Sequence, residues 1–199
     1  MNTNFAAEIA STAARLVVEE GMEYGPAKRK AARLLGGARS AALPDNDAVE
    51  DEVRAYLELF RADTQPAELA ALRDLAARWM ERLAQFRPHL TGAVWRGTAT
   101  RLNPVRLQLY CDDAKAAEIA LINLGLRFEV GSERGPRGDE VDLLIVDAPC
   151  PALGETVTLC LCVLDHDDLR GALRADARGR TDRGDLAALR RLRGAEEGA

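Results

Sequence analysis

The side chains that could do chemistry fall mostly in the second half of this 199-residue sequence. Asp112 and Asp113 are adjacent, and His166 lies in the acidic run 165–168. Carboxylates and a histidine placed in this way can act as general acids and bases, but both runs also have the composition of helix N-caps. We interpret Asp112 and Asp113 mainly as a cap, with a role in metal binding as the alternative.

Cysteine is the other chemically versatile residue type, and the chain has four cysteines. Cys160 and Cys162 are two residues apart in a strand-like run, so their side chains should share one face. Together with His166 they could supply three metal ligands, whereas structural zinc usually has four ligands at paired spacings. The pattern therefore favours free, buried thiols in a reducing compartment.

One segment carries a more specific pattern. Residues 96–109 read Arg-Gly-Thr-Ala-Thr-Arg-Leu-Asn-Pro-Val-Arg-Leu-Gln-Leu. This segment resembles the nucleotidyltransferase superfamily of the DNA-polymerase-beta type, whose members typically read Arg-Gly-Thr-Ala, a few polar residues, then Ser-Asp-x-Asp-Leu-x-Val. The resemblance covers about residues 67–147 and is that of a degenerate member.

The resemblance also implies where the chemistry of the superfamily would lie. Its members use two aspartates on one strand and a third carboxylate from a neighbouring strand to hold Mg²⁺ on a triphosphate. A Gly-Ser or Gly-Thr turn offers backbone N–H groups to the phosphates. Here Pro104 and Arg106 stand at the aspartate positions, and residues 92–93 read Gly-Ala at the upstream Gly-Ser position. Asp142 is the remaining candidate for the third carboxylate.

The resemblance therefore implies a nucleotidyltransferase-like protein that has lost metal-dependent transfer and acts as a binding or interaction module without a cofactor. A nucleotide-like anion or a protein is the expected partner. The candidates for ligand contact are Arg96, Gly97, Thr98 and Arg106. The alternative is an active Mg²⁺-dependent nucleotidyltransferase with a relocated site, formed by Asp142 with Asp112 or Asp113.

The charge balance limits the class of partner. The sequence has 27 basic and 32 acidic residues and a formal net charge of −5. This argues against a nucleic-acid binder that works through bulk charge, because neutralising phosphates needs a basic face. No apolar run approaches the roughly 20 residues of a membrane-spanning helix, and residues 1–10 lack the basic start of a secretory signal. We expect a cytoplasmic protein.

Apolar periodicity predicts the elements that position these residues. It indicates four helices before Pro88, then strands and a helix in alternation, then two short helices near 168–175 and 185–192. The first of about five strands is predicted over 90–96. The sequence thus predicts an α+β protein with a mixed sheet. We expect a helical region at 1–64, a nucleotidyltransferase-like domain at 65–164 and an extension at 165–199.

Overall fold

The computed structural model of the chain describes residues 2–37, 42–170, 175–176 and 178–197. Within these residues the chain is α+β, with seven α-helices and one mixed sheet of six strands. The predicted fold class is confirmed, with six strands in place of about five. The chain divides into two compact units, Met1–Glu68 with Thr98–Asn103, and Leu69–Gly97 with Pro104–Ala199.

The first unit contains three helices, α1 (Asn2–Glu20), α2 (Tyr24–Leu34) and α3 (Asn46–Phe60). The Asp45 carboxylate caps α3 by accepting a hydrogen bond from the Ala48 N–H at 2.7 Å, as its position before the apolar stripe predicts. Buried aliphatic side chains at helical spacing form the core of the unit. They include Ile9, Ala13, Leu16, Val17, Ala27, Ala31, Val49 and Val53.

The helices of the second unit follow the division of the chain, which falls in the first turn of α4. They are α4 (Gln65–Arg82), α5 (Gly92–Arg96), α6 (Ala114–Asn123) and α7 (Leu186–Glu197), with 3₁₀ turns at Ala84–Phe86 and His166–Leu169. In the described part of the chain, no helix is long and apolar enough to cross a membrane.

The sheet of the second unit has the strand order β3-β4-β5-β2-β1-β6. The strands are β1 (His89–Thr91), β2 (Val105–Tyr110), β3 (Glu129–Arg134), β4 (Glu140–Cys150), β5 (Glu155–Leu164) and β6 (Arg183–Gly184). β2 and β5 run parallel, and every other neighbouring pair is antiparallel. One face of the central strands is apolar and fully buried, with Leu107, Leu109, Leu144, Leu159 and Leu161 at its centre.

Two of the expected elements differ from the structure. The strand predicted over 90–96 ends at Thr91, because Gly92 adopts a left-handed φ of 75° and the chain turns into α5. The helix predicted near 168–175 is a 3₁₀ turn at His166–Leu169, and residues 171–174 lie outside the described residues. The two-residue strand β6 was not predicted, since so short a strand has no periodicity of its own.

Candidate functional site

The turn after α5 carries two of the predicted ligand contacts, Arg96 and Gly97. Arg96 is the last residue of the helix, and its side chain is half-buried. Gly97 has a left-handed φ of 82°, and its N–H donates to the Ala93 carbonyl, so the helix end uses this amide internally. Thr98 belongs to the first compact unit, where its hydroxyl is buried without a hydrogen-bond partner among the described residues.

A buried arginine that the sequence pattern did not indicate stabilises this turn. Arg73 on α4 is only 1% exposed. Its Nε–H donates to the Val94 carbonyl at 3.0 Å, and its Nη2 donates to the Trp95 carbonyl at 3.3 Å. A Cβ built on Gly97 would lie 3.4 Å from the same guanidinium. The positive charge thus sits at the C-terminal carbonyls of α5, where a cation is favourable.

Arg106 lies on the side of the sheet that we name the Arg106 face. Paired residues of neighbouring strands point to the same side of a sheet, so the strand register defines the members of this face. Its polar and titratable members are His89, Thr91, Arg106, Gln108, Tyr110, Glu129, Glu133, Asp147, Thr156, Thr158, Cys160, Cys162 and Arg183, and β4 adds the apolar Val141, Leu143 and Ile145. The face therefore combines two arginines with three carboxylates and with neutral polar and apolar groups.

The Arg106 guanidinium reaches across the sheet and pairs with the Glu133 carboxylate on β3. The two side chains are 27% and 25% exposed, so the pair is only partly screened by solvent. Beside it, burial raises the pKa of the Cys162 thiol, and a hydrogen bond to Glu133 and the charge of Glu133 act in the same direction. Cys162 is therefore a protonated thiol at neutral pH and not a nucleophile.

Arg183, on the edge strand β6, lies at the opposite end of the same face. Its Nη1 donates to the Gln108 side-chain oxygen at 2.6 Å and to the Tyr110 hydroxyl at 3.3 Å. Its Nε is buried and has no partner among the described residues. Leu169 packs against Tyr110 and Cys162, so the 3₁₀ turn after β5 borders this face.

The structure separates Asp142 from the Arg106 face. Asp142 pairs with Ser132 in the β3–β4 ladder, and its neighbours Val141 and Leu143 are the residues of β4 that point to the Arg106 side. Side chains alternate along a strand, so Asp142 points to the other side of the sheet from Arg106. Pro104 precedes β2 and offers no side-chain ligand.

The paired aspartates lie before α6 and have different surroundings. Asp113 is the N-cap of α6 and accepts a hydrogen bond from the Lys115 N–H at 2.9 Å. The Asp112 side chain is 87% exposed. Across the described ranges, no three or more His, Cys, Asp and Glu side chains form a group that could hold a metal ion. Cys160 and Cys162 share a face of the sheet as expected, and they belong to no such group among the described residues.

A concave surface, which we name the α6 groove, lies beyond the carboxyl ends of β2 and β5. It has a volume of about 840 Å³ and is lined by α6, the end of α4 with the 3₁₀ turn after it, and the residues that follow β2 and β5. Cys111, Asp112 and His166 are among the lining residues. Because three segments that are distant in sequence build the walls, no local sequence pattern could have indicated the groove.

The chemistry of the α6 groove favours binding over covalent catalysis. His166 Nε2 lies 3.9 Å from Asp112 Oδ1, and His166 Nδ1 is buried without a partner among the described residues. Burial raises the pKa of the half-buried Cys111 thiol, and the charges of Asp113, Asp112 and Asp165 raise it further. A nucleophilic cysteine needs the opposite shift, toward the thiolate.

Comparisons with family models and with curated proteins do not identify a family for the chain. No protein-family model matches the chain. No curated protein matches it.

Proposed function

We propose that this chain is a nucleotidyltransferase-like protein without metal-dependent transfer, which binds a nucleotide-like anion at the Arg106 face. The observation that carries the proposal is the position of Arg106. It stands at an aspartate position of the resembling motif, on β2 next to β1 in the sheet. A Cβ built on Gly92 would lie 3.4 Å from the Arg106 Cδ, so the arginine stem runs past the turn that the resemblance assigns to phosphate binding.

The two guanidinium groups of the face support an anionic ligand. Arg106 and Arg183 contribute two guanidinium groups, and Glu133 contributes the carboxylate that pairs with Arg106, while Glu129 and Asp147 lie on the same side of β3 and β4. A guanidinium presents a planar fork of donors that matches phosphate oxygens. A triphosphate carries more charge than the single Glu133 carboxylate and competes with it for Arg106. Binding therefore replaces the Arg106–Glu133 ion pair by an ion pair between Arg106 and the phosphate of the ligand, and it requires no metal ion.

A thermal-shift experiment with the four nucleoside triphosphates tests the proposal. Each triphosphate is added with and without Mg²⁺ or Mn²⁺. A ligand that binds only the folded state at 100 times its Kd stabilises it by about 2.7 kcal/mol. For a chain of this size such a gain raises the Tm by about 5–10 °C. We expect this shift without metal, and the absence of a shift with every triphosphate would contradict anion binding.

Variants assign the shift to the face. Arg106→Gln and Arg183→Gln remove the charges while keeping polar side chains of similar reach, and each should reduce or abolish the shift. Arg127→Gln is the matched control, because Arg127 is exposed and lies outside the Arg106 face. A metal-independent shift that persists in Arg106→Gln would place the ligand elsewhere.

The alternative function is Mg²⁺-dependent nucleotidyl transfer by Asp142 with Asp112 or Asp113. The observation in its favour is the environment of Lys115. The hydrogen bond that the Lys115 ammonium donates to Glu118 raises the pKa of Lys115, and the charges of Asp142 and Asp113 raise it further, so both of these aspartates act on one ammonium group. Incorporation of labelled nucleotide that needs Mg²⁺ and is lost in Asp142→Asn would support this alternative and contradict the first proposal.

A further inference from the structure

The α6 groove has an apolar wall that the rest of the fold leaves uncovered. Ile119 and Leu124 line it and are 54% and 42% exposed, although both are large aliphatic side chains. Ala116, Ala120 and Phe86 complete this side of the groove. Large apolar side chains gathered in a concavity, unlike scattered surface ones, are typical of a ligand-binding site.

The segments that follow β2 and β5 give the groove an acidic end. Asp112 and Asp113 line it, and Asp165 precedes the lining residue His166 in the chain. The thiol of Cys111 reports their combined field, because its pKa is raised first by burial and then by the charges of these three carboxylates. A cation entering the groove would therefore meet a negative potential at this end.

The charged residues on the α4 wall already have partners. Arg82 lies over the Trp79 ring, with its guanidinium carbon 4.8 Å from the ring centroid. Glu81 pairs with Arg190 at 2.5 Å. The negative charge of the groove is therefore concentrated at its acidic end, while Arg82 keeps its positive charge on the α4 wall.

We infer that the α6 groove binds a small organic cation, in which an ammonium group faces Asp112 and an apolar body lies along Ile119 and Leu124. An imidazole with its proton on the Nε2 nearest Asp112 presents Nδ1 as an acceptor, and this buried atom of His166 has no partner among the described residues. The volume of about 840 Å³ is that of a small-molecule site, for which roughly 300–1,000 Å³ is usual. The ligand is opposite in charge to the one proposed for the Arg106 face.

Cys111 provides the reporter for a direct test, because it lines the groove while the other three cysteines are buried. The purified chain is treated with methyl methanethiosulfonate, a neutral thiol reagent, and modification of each cysteine is followed by mass spectrometry. The probe is hexylammonium, with hexanoate of the same length as its anionic counterpart. At ten times its Kd, hexylammonium should slow modification of Cys111 about tenfold, and hexanoate should not slow it.

Substitutions of the acidic end assign the effect to charge. In the double variant Asp112→Asn, Asp113→Asn the α6 cap is retained, because Asn caps helices as well as Asp does. Hexylammonium should no longer protect Cys111 in this variant. The control is Asp147→Asn on β4, where protection should be unchanged, since Asp147 is exposed and does not line the groove.

The buried thiols show whether each variant is folded, because unfolding would expose all of them together. Three results would overturn the inference in a folded protein: no protection by hexylammonium, equal protection by hexanoate, or protection that survives in the double variant. Each result concerns the groove alone, so it leaves the test of the Arg106 face unaffected.

Discussion

Replacing Arg73 by methionine should remove much of the stability of the second unit. Methionine fills a similar volume but leaves the Val94 and Trp95 carbonyls without their buried donors. A hydrogen bond to a charged group contributes about 1.5–3 kcal/mol, so the loss of two predicts about 3–6 kcal/mol. That is a large part of the 5–15 kcal/mol that typically separates folded from unfolded chains. Arg73→Lys keeps the charge but loses the fork of donors. Its free energy of unfolding should therefore lie between that of the unchanged chain and that of Arg73→Met.

Equilibrium unfolding in urea, followed by tryptophan fluorescence and by circular dichroism, measures the effect. Both probes are needed because the chain has two compact units and two-state behaviour must be checked. Arg78→Met is the matched control: it lies exposed on the same helix and should change the free energy of unfolding by less than about 0.5 kcal/mol. If Arg73→Met costs no more than Arg78→Met, the buried guanidinium does not stabilise the turn.

Two further predictions follow from buried groups near the sheet edge. Burial lowers the pKa of His89 from its usual 6.5, so the unfolded chain binds this proton more readily and the free energy of unfolding should fall as pH drops below about 6.5. Urea titrations between pH 7.5 and 5 should show this loss, by up to about 1.4 kcal/mol per pH unit, and an unchanged slope in His89→Asn would refute it. A Cβ on Gly184 would lie 2.2 Å from the Trp95 ring, so Gly184→Ala should destabilise the chain by about 1–3 kcal/mol. The cost should shrink in a Trp95→Leu background, and a double-mutant cycle without coupling would contradict the clash.

The sequence predicted those parts of the fold that have periodicity over many residues. Helices α1 to α4 and strands β2 and β5 follow runs in which apolar residues recur at the expected spacing. The strand predicted over 90–96 was too long, because its apolar residues Val94 and Trp95 belong to the short helix α5 instead. That helix depends on a contact distant in sequence, the burial of Arg73 against its last carbonyls, and local propensity contains no information about it.

The candidate sites show the same division between local and distant information. The motif at 96–109 predicts Arg106 as a ligand contact, and the register of β2 identifies the other members of the Arg106 face. Its partner Glu133 comes from β3, which only the sheet order brings into reach. The capping role of Asp113 was predicted from composition and is confirmed, since a cap is a local interaction. No local sequence pattern indicates the α6 groove, because its walls come from segments that are distant in sequence.

The position of β6 has a consequence for synthesis of the chain on the ribosome. β1 lies between β2 and β6 in the sheet, and β6 comes from residues 183–184, long after β1 has been made. Until then the outer edge of β1 is open, and the Trp95 indole lacks the Thr181 carbonyl to which its N–H donates at 2.6 Å. A nascent chain therefore exposes an unpaired strand edge beside a tryptophan while residues 92–182 are being made, which is the kind of surface that general chaperones recognise.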